Sequence, residues 1–309
     1  MDPLSQLLSG IRAEGSVVSH AVLQAPWTIR FADRAPLTMV TVLRGGGALV
    51  QSDGTCTPLV TGDTAIVRGP EAFHFADQPD SIGGPHTEYE IACFAADPDC
   101  AVEGLRGIHW GTDSDDATAL VVGAYQTSTR RHERLVRTLP EVLVVADDTD
   151  MCPWMEAAAQ EAVTHSAGSQ AMMDRLLDWG LVCTLRSWFE QAGPDAPSWY
   201  RGLNDPVVAP ALNAIHTRPG LPWTVASLAA ESGISRALFA KRFSATMGRP
   251  PLTYLTECRM DEAEELLAAT EFTVAQVAKS VGYADAFGFS AAFKRSRGLS
   301  PTAYRSAAA

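Results

Sequence analysis

The chain has 309 residues, 46% hydrophobic and 19% charged, with a net charge of −12. That length exceeds one ordinary core and implies two domains, while no stretch reaches the roughly 18 consecutive apolar residues of a membrane span. The acidic balance excludes a nonspecific polyanion binder but leaves room for a local one.

The opening "MDPLSQLLSGIRAEG" lacks a basic segment followed by an apolar run. No secretory signal is therefore expected, and the expected address is cytoplasmic. Leu4, Leu7, Leu8 and Ile11 share one helical face, which either closes over the following domain or packs outside it. The cysteines (Cys56, Cys93, Cys100, Cys152, Cys183 and Cys258) contain no C-x-x-C pair. They read as reduced, mostly buried thiols.

Up to about residue 145 the chain reads as strands and turns. "VVSHAVL", "WTIRFA", "LTMVTVL", "GALVQ", "TAIV" and "EYEIACF" are short, β-rich and broken by Gly, Pro and Asp. Many short strands with frequent turns predict a barrel or sandwich. "RGGGA", 44–48, reads as a hairpin turn, because no strand-Gly-helix context supports a phosphate loop.

The period then changes. Met155, Ala159 and Val163, then Met173, Leu176, Leu177, Val182, Leu185, Trp188 and Phe189, recur every three to four residues, predicting two amphipathic helices parted near "HSAGSQ". "QAGPDAPSWYRGLNDP", 191–206, is rich in Pro, Gly and Asp and reads as a linker. The expected domains are 1–150, a helical pair at 151–192, a linker at 193–205, and 206–309.

Charge shifts at the same place. From Arg201 onward there are 12 Lys and Arg against 9 Asp and Glu, leaving 12 against 27 for the first 200 residues. All three lysines (Lys241, Lys279, Lys294) lie in this last third, and its end, "GYADAFGFSAAFKRSRGLSPTAYR", gathers Lys294, Arg295, Arg297 and Arg305 around regular aromatics. An internal repeat is present. Thr224, Ala229 and Gly233 match Thr273, Ala278 and Gly282 at an offset of 49, and Phe239, Phe243, Gly248, Pro251 and Tyr254 match Phe289, Phe293, Gly298, Pro301 and Tyr304 at 50.

Each copy reads as a helix begun at a Thr, a Gly turn, and a second helix begun at Ser235 or Asp285. That is a helix-turn-helix, whose second helix enters the DNA major groove. Leu238, Phe239 and Phe243, or Phe289 and Phe293, would hold the second helix to the first. The free faces carry Ser235, Arg236, Ala237, Ala240 and Lys241 in one copy. In the other they carry Asp285, Ala286, Phe287, Ser290, Ala291, Lys294 and Arg295, with Arg297 beyond. Arg and Lys suit guanine edges or phosphate, and Ala or Phe a thymine methyl. The first helix is the better equipped reader and the second more of a clamp. "PPLTYLTECRMDEAEELLAAT" between them would span about 30 Å at helical rise, close to the ~34 Å turn of a duplex.

Residues 204–305 resemble the tandem helix-turn-helix domain of AraC-type transcriptional regulators. The motifs are the A-x-x-L-L helix end, V-A-x-x-V-G-Y, F-x-x-x-F-K-R and the closing G-L-S-P-x-x-Y-R. The second recognition helix departs from the family, with Ala286, Phe287 and Gly288 where polar base-readers are frequent. Residues 1–145 resemble the cupin-like effector barrel common in that family, through "VLRGGGALV", "LVTGDTAIVRGPEAFHFADQP", "ATALVVGAY" and "LVRTLPEVLVV". The resemblance implies a mixed fold: an N-terminal cupin-like β-barrel, two linking helices that dimerise, and a C-terminal all-α tandem helix-turn-helix domain.

The implied function is an effector-responsive regulator of promoter DNA, a homodimer, with RNA polymerase a candidate partner and no cofactor, metal or enzymatic activity. Trp27, Phe31, Met39, Phe73, His74 and Tyr89 are the candidate lining of a pocket for an unknown small-molecule effector. Two alternatives are a metal-dependent cupin enzyme using His74, His86 and Glu88, and a thiol-redox regulator using Cys93 and Cys100.

Overall fold

The structure, a computed structural model, describes residues 4, 8, 11–13, 21–32, 35–84, 88–91, 117–127, 136, 139–146, 153–164, 167–193, 196–268 and 271–308. The chain forms two compact units, and the main boundary between them in sequence falls between Gln191 and Ala192.

The first unit carries β1 (Ile11–Ala13), β2 (Ala21–Leu23), β3 (Thr28–Phe31), β4 (Leu37–Arg44), β5 (Gly46–Val50), β6 (Cys56–Val60), β7 (Thr64–Arg68), β8 (Phe73–Ala76), β9 (Glu88–Ile91), β10 (Thr118–Thr127) and β11 (Val142–Val145). They form two sheets, β1-β10-β4-β7-β11 with β2 also on β10, and β6-β5-β8-β3-β9. The expected closed barrel is therefore corrected: among the described strands none pairs across from one sheet to the other. The sheets face one another over a shared core instead, as sandwiches do.

Strand alternation builds that core. Trp27, Ile29 and Phe31 from β3 and its approach meet Phe73 and Phe75 of β8, and Val40, Val42, Leu120 and Val122 close it from the other sheet. Phe31 stacks on Phe73 with centroids 4.5 Å apart. The triple glycine is not a hairpin turn. It carries the chain from β4 in one sheet to β5 in the other, with Gly45 at φ +83°. Side chains are excluded there, since a Cβ on Gly46 or Gly47 would lie within 2.8 Å of the Leu59 or Ala76 carbonyl oxygen.

β4 is buried on both faces over Leu37–Val42, which is why "LTMVTVL" reads as a nearly continuous apolar run. Two helices follow, α1 (Pro153–Thr164) and α2 (Ser169–Ala192), and the outer face of β4 lies under α2, whose Thr184 Oγ1 is 4.0 Å from Met39 Sδ. There the Tyr125 hydroxyl donates to the Leu177 carbonyl at 2.7 Å and lies 3.8 Å from Met39 Sδ.

The second unit is helical: α3 (Ser198–Asn204), α4 (Ala209–Thr217), α5 (Val225–Glu231), α6 (Arg236–Met247), α7 (Pro251–Ala268), α8 (Val274–Ser280), α9 (Ala286–Arg297) and α10 (Pro301–Ala308). The stretch read as a linker, 193–205, contains α3. Its Pro197 sits at the N-cap, where proline costs the helix nothing. Trp199 and Leu203 pack on the core of Val208, Leu212, Ile215, Leu228, Phe239, Phe243 and Leu255. A second core joins Met260, Leu267, Val277, Val281, Phe289, Phe293 and Tyr304. α7 supplies residues to both, so one continuous helix seats both halves. No described helix is long and apolar enough to cross a membrane.

Candidate nucleic-acid interface

The repeat in sequence is a repeat in hydrogen bonds. Thr224 Oγ1 accepts from Ser227 N–H at 3.0 Å while Thr224 N–H donates to Ser227 Oγ at 2.8 Å. Thr273 and Gln276 make the same reciprocal cap at 3.2 and 2.8 Å. Gly233 and Gly282 take the turns at φ +66° and +80°. Ser235 caps α6 through Leu238 N–H, and Asp285 caps α9 through Gly288 N–H at 2.7 Å. Gly248 and Gly298 close both helices in the left-handed region. The paired phenylalanines are fully buried in each copy, with centroids 5.5 and 5.6 Å apart.

This burial leaves one face of α6 and one of α9 to solvent. On α6, Arg236, Ala237 and Lys241 are exposed, with Ser235 at the cap and Ala240 half-buried. On α9, Phe287, Ala291, Lys294 and Arg295 are exposed, with Asp285 at the cap and Ala286 and Ser290 half-buried. Positions 287, 291, 294 and 295 are three or four apart and form a single stripe. Among the described residues no carboxylate pairs with Arg236, Lys241, Lys279, Lys294 or Arg295.

Three residues lie elsewhere than the sequence reading placed them. Leu238, expected to hold α6 in the core, is 55% exposed. It precedes Phe239 by one residue, or 100° of turn, and is left outside with Arg236 and Ala237. Its counterpart at an offset of 50 is Gly288, exposed and without a side chain to bury, which was the available signal. Arg297, expected on the basic face, is held inside, donating from Nε to Glu264 at 2.9 Å and from an η nitrogen to Asp261 at 2.5 Å. Its counterpart is the buried Met247. Arg305 is likewise committed, donating to the Leu267 carbonyl at the end of α7 and to the Phe272 carbonyl just before α8.

Asp205 plays the matching part in the first half. It is buried, accepts from Arg242 Nε at 2.7 Å and from Thr246 Oγ1 at 3.1 Å, and accepts from the Val207 and Val208 N–H groups in the turn that leads into α4. Burial pushes its pKa up, but those four donors outweigh it and hold the carboxyl below its usual value. Arg242 is thus an anchor of α6, leaving Arg236 and Lys241 as its outward cations.

The candidate effector residues divide. Trp27, Phe31, Phe73 and Tyr89 are brought together in the inter-sheet core. Met39 faces α2 from the opposite side of its sheet, near Tyr125 and Thr184. His74 points away from Phe73 and Phe75 on β8, in register with Arg30 and Val50. An open cavity of about 800 Å³ lies elsewhere in this unit, lined by Pro36, Val67, Phe73 and Val136 with Arg68, Asp53, Glu71 and Glu141 around it. Of the expected set only Phe73 reaches it. His86, Cys93 and Cys100 lie outside the described residues.

Comparison with known proteins follows the same division. A family model described as a cupin matches residues 2–190, and one described as a helix-turn-helix domain matches 228–307. AraC-like transcription regulators of Streptomyces lividans and Streptomyces antibioticus are each 33% identical over 99% of this chain and 98% of their own. The HTH-type transcriptional regulator AlkR of Acinetobacter baylyi is 28% identical over 99% of each chain.

Proposed function

This chain belongs to the AraC-type transcriptional regulators, an N-terminal cupin domain joined to a DNA-binding helix-turn-helix domain, and from that premise we propose that α6 and α9 enter successive major grooves on one side of promoter DNA. The observation that carries this reading is the duplicated unit, with matched caps, turns and buried phenylalanines on either side of α7. At 1.5 Å per residue, the 18 residues of α7 extend about 27 Å, against about 34 Å for one turn of duplex. In α6, Arg236 and Lys241 supply base and phosphate contacts with Ser235, Ala237 and Ala240 beside them. In α9, Lys294 and Arg295 hold phosphates. Hydroxyl-radical footprinting of the full chain on its promoter tests this. Two protected grooves one turn apart are expected, and protection of a single groove would refute it.

Regulation in this reading comes from the cupin unit. The 800 Å³ cavity is the effector site we favour over the inter-sheet aromatics, because Trp27, Phe31 and Phe73 already fill the space they share. Three carboxylates against one arginine around an apolar floor suit a ligand with an apolar body and a cationic end. Bound ligand shifts promoter occupancy only by its differential affinity for the two states. The relatives are named as regulators, which supports a non-catalytic cupin unit. The site of action is the cytoplasm, where promoter DNA is found, and RNA polymerase is the partner an activator would need.

A further inference from the structure

Phe287 is 87% exposed, more than any other large hydrophobic side chain among the described residues. It lies one residue inside the N-terminus of α9, the end that meets base edges in a helix-turn-helix. The polar groups around it are committed. Asp285 accepts from Gly288 N–H at 2.7 Å, and the Ser290 hydroxyl donates to the Ala286 carbonyl at 2.7 Å. Ala286, Gly288 and Ala291 have no polar side-chain atoms. The first turns of α9 therefore offer no free side-chain donor to a base.

What remains readable in the major groove by an apolar side chain is the C5-methyl of thymine. Small neighbours on both sides leave the ring unshielded, and Lys294, seven residues on, shares its face and anchors the same stripe to phosphate. The cations fit a polyanion and not an apolar protein surface. Resting on the DNA-binding reading above, we propose that Phe287 reads a thymine methyl in the second major groove, so that α9 selects T·A at one position and does not merely clamp the backbone.

Duplexes with a random core of about 20 base pairs, two helical turns, are selected with the full wild-type chain, and the enriched duplex is remade with uracil for each thymine. Uracil keeps every hydrogen-bonding group and lacks only the methyl. One substitution in the second groove is expected to weaken wild-type binding about fourfold, the worth of one buried methyl. Phe287→Ala is expected to weaken binding to the thymine duplex on the order of tenfold, to lose the uracil penalty, and to melt at the wild-type temperature. Arg236→Ala is expected to weaken binding while keeping the uracil penalty.

A uracil penalty undiminished in Phe287→Ala overturns the proposal, as does a selected site with no thymine in that groove. Unchanged affinity of Phe287→Ala for duplex, with altered transcription, assigns the ring to a protein partner and also overturns it. Failure of the wild type to enrich any sequence removes the DNA reading itself, a different outcome from all of these.

Discussion

Gly220 and Gly282 meet backbone to backbone: a methyl in place of the Gly282 side-chain hydrogen would sit 2.5 Å from the Gly220 carbonyl oxygen. Gly220 belongs to the loop between α4 and α5, and Gly282 to the turn between α8 and α9. The two halves of the DNA-binding unit therefore touch directly as well as through α7. Arg259 of α7 reinforces the contact, donating to the Pro219 and Leu221 carbonyls at 2.9 and 2.7 Å and lying 6.0 Å over the Tyr283 ring. The spacing of α6 and α9 is in this way set before DNA arrives.

The two turn glycines should consequently respond differently to alanine. Gly233 has nothing within 4 Å of an added Cβ, so Gly233→Ala carries only the left-handed backbone penalty, about 1–2 kcal/mol. Gly282→Ala adds a backbone clash, and overpacking of this kind costs a further 1–3 kcal/mol or so. Thermal denaturation of both variants measures the difference. Equal losses would mean that the junction yields freely and that the two halves are joined by α7 alone.

Arg297 and Arg295, two residues apart, should separate stability from binding. Arg297→Ala removes the cation that pairs with Glu264 and Asp261, whose side chains are 6% and 19% exposed. Breaking a buried pair from one side costs up to about 3–5 kcal/mol, so the melting temperature should fall markedly. Arg295→Ala should leave melting unchanged, weaken all sequences alike, and flatten the salt dependence of log K by about one unit of slope. A stable Arg297→Ala with a flattened slope would return Arg297 to the DNA face.

Arg297 also marks how far the sequence could be read. The duplicated helix pairs, their Thr, Ser and Asp caps and their Gly turns were all legible, because capping and left-handed turns depend on local residue chemistry. The inward commitment of Arg297 and Arg305 was not, since a cation on a helix looks the same whether it meets solvent, a carboxylate on α7 or a backbone carbonyl. Comparison of the copies held part of the answer, Arg297 standing where the first copy buries Met247. Strand content was legible in the cupin unit, but sheet membership was not. Strand period says which residues share a face and nothing of whether "RGGGA" folds a strand back or carries it across to another sheet.

Asp205 should make the first half of the DNA-binding unit acid-sensitive. Its pKa is lowered on folding from the usual 3.8, so its contribution is fully present above that value and fades as pH falls through the folded-state pKa. Asp205→Asn removes the charge-assisted bonds from Arg242 and Thr246, a loss of about 1.5–3 kcal/mol at neutral pH. The gap in melting temperature between wild type and variant should narrow below pH 3.8. A gap that stays constant into acid would mean that Asp205 acts by shape alone.

The helical pair should decide oligomeric state through one face of α2. Met172 and Trp179 are 52% and 46% exposed, and their seven-residue spacing places them on one stripe, with Arg175 and Arg186 exposed nearby. The opposite face is already used, Leu177 lying against Gly123 and Tyr125. Exposed tryptophan and methionine on one stripe are residue types enriched in interface cores. We propose that the chain dimerises through this stripe: Trp179→Glu should then give a monomer where the wild type is a dimer in sedimentation equilibrium, without lowering the melting temperature of the cupin unit. Promoter affinity should then fall by the loss of effective concentration between two DNA-binding units, while each monomer keeps its own sequence preference. A dimer that survives Trp179→Glu would exclude this face of α2 as the interface.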